Sequence, residues 1–463
     1  MSSPRIEHDA FGPVEIPADR YWGAQTQRAL AVFEIGEERF PACLIHAFGL
    51  QKIAASRANR RLGTLDARLA EAIETAAAEV CAGRFDNHFP LTIWQTGSGT
   101  QTNMNTNEVI ANRANEILGQ PLGTKAPVHP NDHVNRSQSS NDSFPTVMHI
   151  ATALELRDRL LPALAGLQSE LAAKADAFTE ILKIGRTHLM DAVPMTMGQG
   201  FDAFAHQIEN AIARIETTLP RLCLLPQGGT AVGTGLNAPA GFDAAFCEEA
   251  SALSGMAFSP NPSKFEGMAA HDALVEVSGA LNGLAVSLLK IANDIRLLGS
   301  GPRCGLGELL IPHDGLTSSI MPGKRNPTIA EVVAQAAFQV IGNHATVTAA
   351  AASGNFELNV AKPVLIYNVL QSIRVLADSA RVFATRLVRD LEVDRERLAA
   401  NVANALLLAT ALNPVLGYDK VARITAKAVA DGTTPRDAAV ALGFLTGAQY
   451  DQHVDPMRMI HPD

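Results

Sequence analysis

The sequence predicts a mainly α-helical protein built around a long central helix bundle. Three observations carry that expectation. Aromatic residues are only 5% of the 463, while Ala and Leu are abundant. Alternating Val, Ile and Thr runs, the signature of strands, are scarce. Apolar residues instead recur at steps of three and four over long distances. Between Asn261-Pro262 and Gly299-Ser300-Gly301-Pro302 the series Leu274, Val277, Leu281, Leu284, Leu288, Ile291, Ile295, Leu298 is a heptad seam.

Residues 1–138 mix short helical patterns with Gly, Pro and Asn loops and are expected to form a mixed, mostly helical N-terminal domain. The central bundle, 139–393, begins with a helix following Pro145, bent or broken at Pro162. A second helix is expected from about Phe201 to Leu219, ending at Pro220. The heptad seam is the third. A fourth starts at Pro327, a good first-turn residue, and carries Ile329, Val332, Val333, Ala336, Ala337 and Val340. A fifth follows Pro363 with Ile366, Val369, Ile373, Leu376, Ala380, Phe383 and Leu387. Residues 394–463 form a smaller, charge-richer C-terminal domain with turn signals at Asn413-Pro414, Asp431-Gly432 and Gly447. Apolar seams on several long helices imply bundles that pair between subunits, hence a homo-oligomer.

Composition narrows the function. Net charge is −9, from 38 Lys and Arg against 47 Asp and Glu, which argues against a nucleic-acid surface. No run approaches the roughly 20 uninterrupted apolar residues of a membrane span, and the opening residues lack the apolar core of a signal peptide. The five cysteines, Cys43, Cys81, Cys223, Cys247 and Cys304, are odd in number and contain no C-x-x-C. That pattern fits buried, inert thiols in a reducing cytoplasm.

Four polar loops interrupt the apolar background. Thr96–Asn105 sets hydroxyls and amides beside Gly97 and Gly99, where backbone N–H groups can approach an anion. Thr102 stands where a dinucleotide fingerprint needs its third glycine. His129-Pro130-Asn131-Asp132-His133 leads to Ser137–Asp142. The i, i+4 histidines suggest a metal, but Pro130 disfavours a helix through both and no H-E-x-x-H occurs, so no metal is expected. Ser139, Ser140 and Asn141 suit either a carboxylate or a helix N-terminus, or both. Gly185–Asp191 places His188 between Thr187 and Asp191. Thr317–Pro327 joins Ser318 and Ser319 to Lys324, Arg325 and Asn326. The Gly228–Gly235 run lacks a following Lys-Ser/Thr and is not a Walker loop.

At these loops the chain resembles class II fumarases within the fumarase/aspartase superfamily. The superfamily signature G-S-S-x-M-P-x-K-x-N reads here Thr317-Ser318-Ser319-Ile320-Met321-Pro322-Gly323-Lys324-Arg325-Asn326. Trp22–Arg28, Gly97–Asn105 and Ser353–Val360 extend the resemblance over nearly the whole chain. It implies a three-domain fold, a homotetramer with active sites assembled from three subunits, and reversible hydration of fumarate to L-malate without metal or organic cofactor. It also implies roles. Ser318 is the base, and His188, paired with Glu331, handles the water. Lys324 and Asn326 stabilise the carbanion, and Ser98, Thr100, Ser139, Ser140, Asn141, Thr187 and Ser319 hold the carboxylates. A second, non-catalytic dicarboxylate site would use His129, Asn131 and Asp132, although Ala126 stands where an arginine is usual. Thr317 and Arg325 are further departures.

The nearest alternative is aspartate ammonia-lyase. Asn131–Val134, Ala192–Thr196, Glu331–Val333 and Val340–Asn343 look more like that enzyme, whereas Thr187-His188 follows the fumarase pattern. A non-catalytic structural homologue is the reading from a different class, and retention of the catalytic positions argues against it.

Overall fold

The computed structural model describes residues 4–461. In chain order the elements are β1 (Arg5–Asp9), β2 (Gly12–Ile16), α1 (Ala24–Val32), α2 (Ala42–Arg61), α3 (Ala67–Cys81), α4 (Thr100–Ile117), α5 (Ser140–Glu155) and α6 (Leu161–Ala177). There follow β3 (Leu182–Thr187), β4 (Met190–Thr196), α7 (Met197–Glu216), α8 (Leu219–Leu222), β5 (Leu224–Leu225), α9 (Phe242–Ser254), β6 (Ser259–Pro260), α10 (Lys264–Ala269) and α11 (Asp272–Leu298). The rest are β7 (Leu309–Leu310), α12 (Thr328–Ala352), α13 (Lys362–Phe383), β8 (Glu392–Val393), α14 (Arg395–Ala403), α15 (Asn413–Leu416), α16 (Tyr418–Asp431), α17 (Pro435–Ala441) and α18 (Gly447–His453). The strands form four two-stranded ladders, β1-β2, β3-β4, β5-β6 and β7-β8. The protein is therefore mainly α, as its composition predicts.

The two heptad seams are core. Leu274, Val277, Leu281, Leu284, Leu288, Ile291 and Ile295 of α11 are buried, and so are Ile366, Val369, Ile373, Leu376, Ala380, Phe383 and Leu387 in and beyond α13. Helix α11 is long and apolar enough to cross a membrane by composition. Its Glu276, Asn282, Lys290, Asn293 and Asp294 interrupt the apolar surface, as expected of a core helix with one buried stripe.

Several boundaries differ from expectation. The helix expected after Pro145 begins five residues earlier, at Ser140. Ser139 and Asp142 form a reciprocal capping box that starts it, so Pro145 lies inside α5. The break falls at Leu156–Leu160, a π turn, rather than at Pro162 itself. Pro162 has no N–H to give to the carbonyl four residues back, and the wider turn absorbs the mismatch. Helix α7 ends at Glu216, and Pro220 opens the short α8 instead of closing a helix. The expectation of short helices before residue 138 is corrected as well: α2 and α4 span 20 and 18 residues. Their many Asn, Thr and Ala residues mask a helical period normally drawn by Leu and Ile.

The chain divides into two compact units. The first comprises Met1–Pro162, Ala211–Val286 and Ala336–Ala377. Here α2 packs against α3, α4, α5 and α9, over a core that includes Ile45, Ile53, Ile73, Val80, Val109 and Ile110. Helix α4 also buries polar residues. Its Glu108 accepts the Gly23 N–H at 2.9 Å, the Gln25 N–H at 2.8 Å and the Thr26 hydroxyl at 2.6 Å, capping the start of α1.

The second unit comprises Ala163–Asn210, Ser287–Gln335 and Asp378–Asp463. Its C-terminal helices close around Val402, Leu408, Leu412, Ile424 and Tyr450, and Ile184 of the β3-β4 hairpin joins that cluster. All five cysteines are free. Cys223 and Cys247 are buried, Cys43 and Cys81 half-buried, and Cys304 exposed, so the expectation of uniformly buried thiols fails at Cys304.

Candidate active site

In the first unit the carboxylate-binding candidates sit at two helix starts. Gly99 caps α4 in the left-handed conformation, φ 76°, and a Cβ there would lie 2.1 Å from the Phe144 ring. Gly97 has even less room, since its Cβ would fall 1.2 Å from the Val360 carbonyl oxygen. The Gly97 loop is thus pressed against the Asn359–Lys362 segment, and the Lys362 N–H donates to the Gly97 carbonyl at 3.1 Å. Ser98 and Thr100 share a hydroxyl–hydroxyl bond of 2.7 Å. Ser139 caps α5, receiving the Asn141 N–H at 3.2 Å, and the half-buried Ser140 and Asn141 form its first turn. Both helix starts concentrate partial positive charge, as a bound carboxylate requires.

His129 also belongs to this unit. His129 stays outside the helical turn that carries His133. Pro130 opens a single π turn, Pro130–Val134, with His129 as its cap. The His129 Nδ1 accepts the N–H groups of Asn131 at 3.3 Å and Asp132 at 3.2 Å, while Asn131 and Asp132 are exposed. Among the described residues no group of three or more His, Cys, Asp or Glu is placed to hold a metal.

The second unit carries the remaining candidates. The β3-β4 hairpin pairs Thr187 with Met190 and turns through His188 and Leu189. Their φ angles are 56° and 63°, so two side-chain-bearing residues occupy the left-handed positions that a two-residue hairpin normally gives to Asn and Gly. Such backbone strain clusters at functional positions. The hairpin is anchored below: Arg186 donates to Glu308 at 2.5 Å, and Asn401 donates to the same carboxylate oxygen at 3.1 Å. His188 itself stands exposed.

The Thr317–Asn326 loop is held at its feet by a hydrogen bond from the Thr328 hydroxyl to the Asp314 carboxylate. Inside it the Ser318 hydroxyl oxygen accepts the N–H groups of Ile320 at 3.4 Å and Met321 at 3.2 Å. Two amide dipoles therefore point at the oxygen on which an alkoxide would carry its charge. Ser319, Lys324 and Asn326 are exposed, and among the described residues the side chains of Lys324 and Asn326 form no hydrogen bond. Within the chain His188 and Glu331 make no hydrogen bond to each other among those residues. The family pairing therefore stands as an expectation about assembled subunits.

A buried polar cluster in the first unit escaped sequence reasoning. Lys52, in α2, is fully buried and donates to Asn103 at 2.9 Å, Asn135 at 3.2 Å and Gln138 at 2.9 Å. Burial pulls its pKa down to about 7, partly offset by the charge of Asp142. Asp142 is buried too, and loss of hydration raises its carboxyl to about 6 despite N–H donors from Ser139, Gly228 and Thr230. The Gly228–Gly235 loop thus spends its backbone donors on a carboxylate of the protein itself, consistent with rejecting it as a phosphate loop. The available signal was a lysine in the middle of the apolar Leu50–Ala55 run.

Comparison with known proteins places the chain in a family. Residues 12–342 match the family described as Lyase, and residues 408–461 the one described as Fumarase C C-terminus. A class II fumarate hydratase of Caulobacter vibrioides is 56% identical over 462 residues, covering 100% of both chains. A mitochondrial fumarate hydratase of Schizosaccharomyces pombe is 56% identical, covering 98% of this chain and 88% of its own. The crystal structure of a class II fumarase from Schistosoma mansoni superposes with a TM-score of 0.96 at 42% identity, covering 99% of each chain.

Proposed function

The chain belongs to the class II fumarate hydratases, and from that premise we propose how its loops carry out the reaction. It is a carbon–oxygen lyase that hydrates fumarate reversibly to L-malate. In the dehydration direction a proton leaves the carbon beside a carboxylate, and the electrons move into that carboxylate as an aci-form. The charge that accumulates there needs fixed donors. Lys324 and Asn326, together with Ser319, supply them. Each such donor is worth roughly 10²–10³ in rate.

Ser318 is the base. The observation that carries this assignment is the pair of backbone N–H groups aimed at its oxygen. They favour the alkoxide over the alcohol by donating to the charged form. His188 acts on the opposite face, protonating the departing hydroxyl or activating water. Glu331 of another subunit orients the imidazole and raises its basicity. Ser98, Thr100, Ser139, Ser140, Asn141 and Thr187 hold the two carboxylates. His129, Asn131 and Asp132 form the second dicarboxylate site, weakened by Ala126.

The assembly we propose is a homotetramer with each active site shared between three subunits. Exposed apolar side chains on the long helices support it: Val286 of α11 is 53% exposed, Val332 and Phe338 of α12 55% and 59%. Pairing of subunits through the long helices would take these side chains out of water. The three-domain division at 138 and 393 belongs to the same proposal. So does a cytoplasmic location, supported by five free thiols. Purified protein given L-malate or L-aspartate separately, with fumarate followed by ultraviolet absorbance, tests the substrate. Fumarate from malate alone is expected; fumarate from aspartate would overturn the reading.

A further inference from the structure

The buried cluster around Lys52 has a direction. The ammonium is a donor without acceptor capacity, so each amide that meets it turns its oxygen inward. Asn103, Asn135 and Gln138 all do so. Their NH₂ groups are consequently turned to acceptors other than the ammonium. Gln138 donates to the carbonyls of Val134 at 3.1 Å and Arg136 at 3.0 Å, and Asn135 to the carbonyl of Gln138 at 3.2 Å. The Asn103 NH₂ donates to Asn135 at 3.1 Å and to the Ser140 hydroxyl oxygen at 3.2 Å. Ser140 therefore has a lone pair occupied from below, and its own proton is left to point away from the cluster. A neutral lysine would still donate two hydrogens, so the arrangement is one of hydrogen-bond direction as well as charge.

We propose that Lys52 and Asn103 form a polarity relay whose output is Ser140 held as a donor toward the substrate carboxylate. The proposal rests on the reading of Ser140 as a carboxylate ligand. A serine hydroxyl can face a carboxylate usefully only with its proton, and a neighbouring acceptor would compete for that proton. The relay removes the competitor. It makes Asn103 and Lys52 positioning residues, one and two steps removed from Ser140, in a unit whose proposed active-site ligands are all uncharged.

Asn103→Asp tests this directly. The carboxylate keeps an acceptor facing Lys52 and adds an opposite charge, but its second oxygen draws the Ser140 proton inward. The Michaelis constants for fumarate and malate are expected to rise about tenfold, the worth of one hydrogen bond to a charged ligand, with kcat changed less than threefold. Asn103→Ala removes the competitor and the donor together and should raise KM less than Asn103→Asp. A purely structural role orders the two variants the other way, because alanine takes away one of the three acceptors of Lys52 while aspartate keeps it. Ser140→Ala should raise KM comparably, and adding Asn103→Asp to it should add less than twofold, since the two act through one proton. An unchanged KM in Asn103→Asp, or full additivity in the double variant, overturns the relay while leaving Ser140 as ligand. An unchanged KM in Ser140→Ala overturns the placement of Ser140 at substrate, and the relay with it. If Asn103→Asp fails to fold, Lys52→Met decides: release of the amide should still raise KM about tenfold, and a normal KM overturns the relay.

Discussion

Ser318, the base we propose, is a very weak base by its own chemistry, and its surroundings are what support the proposal. Two amide N–H groups stabilise a charge on its oxygen, so Ser318→Ala should lose at least about 10²-fold in kcat with an unchanged melting temperature. His188→Asn should lose a similar factor, read as turnover in both directions. Two buried histidines have a different consequence. His149 is fully buried with Nδ1 donating to the Leu222 carbonyl at 2.8 Å, and burial holds its pKa down to about 4. His271 is pushed well below the usual imidazole range by the same cause. At these two rings the unfolded chain therefore binds more protons than the folded one below pH 6.5. Their contribution to stability should fall as pH drops from 6.5 toward 4, by at most about 1.4 kcal/mol per pH unit for each ring, against the opposite contribution of the raised Asp142 carboxyl. His149→Phe should flatten that slope in chemical denaturation across the range. At this scale the sequence singles out residues where a motif names them, as at Ser318 and His188, whose roles remain proposals. It was silent on Lys52 and His149, because nothing in a one-letter code says that a polar residue on a helix faces inward.

Helices with aliphatic seams were readable from spacing alone: α11 and α13 bury the rows that the heptad count selected. Boundaries were less readable. Pro145 looked like a start because proline favours first turns, yet the capping box at Ser139 dictates where α5 begins. Helix α4 hid its core-facing side because Asn and Thr, not Leu, fill it. Such polar burial is stable only when each group finds a partner, a condition of tertiary structure and not of sequence. The glycine loop before α4 offers a direct check. Gly97→Ala would drive a methyl into the Val360 carbonyl, so the loop must move. A destabilisation of about 2 kcal/mol or more is expected, seen as a lower denaturation midpoint together with a raised KM.

Across the whole molecule, the candidate residues fall into two groups according to the unit that carries them. Ser98, Thr100 and Ser139–Asn141 lie in one unit, and His188, Ser318, Lys324 and Asn326 in the other. The resemblance to class II fumarases placed all of them in one reaction. The same resemblance implies active sites assembled from several subunits, which would account for the scatter of polar loops along the chain. The pairing of His188 with Glu331 that the resemblance implies makes no hydrogen bond within one chain among the described residues. Phe338→Glu puts a charge on the exposed apolar side of α12. It should dissociate the proposed tetramer, read as mass by light scattering, and abolish turnover in the same fractions. A variant that stays tetrameric and active would remove α12 from the interface.

The His188-Leu189 turn sets two opposing selection pressures on one dipeptide. Left-handed backbone at residues with side chains costs of order 1–3 kcal/mol each. Selection for thermal endurance alone would therefore replace Leu189 with glycine early. The gain should be about 1 kcal/mol, visible as a higher melting temperature. Glycine would also free the neighbouring imidazole to wander. Heat-hardened descendants of this protein that keep Leu189 would thus mark lineages in which turnover, not endurance, was under scrutiny.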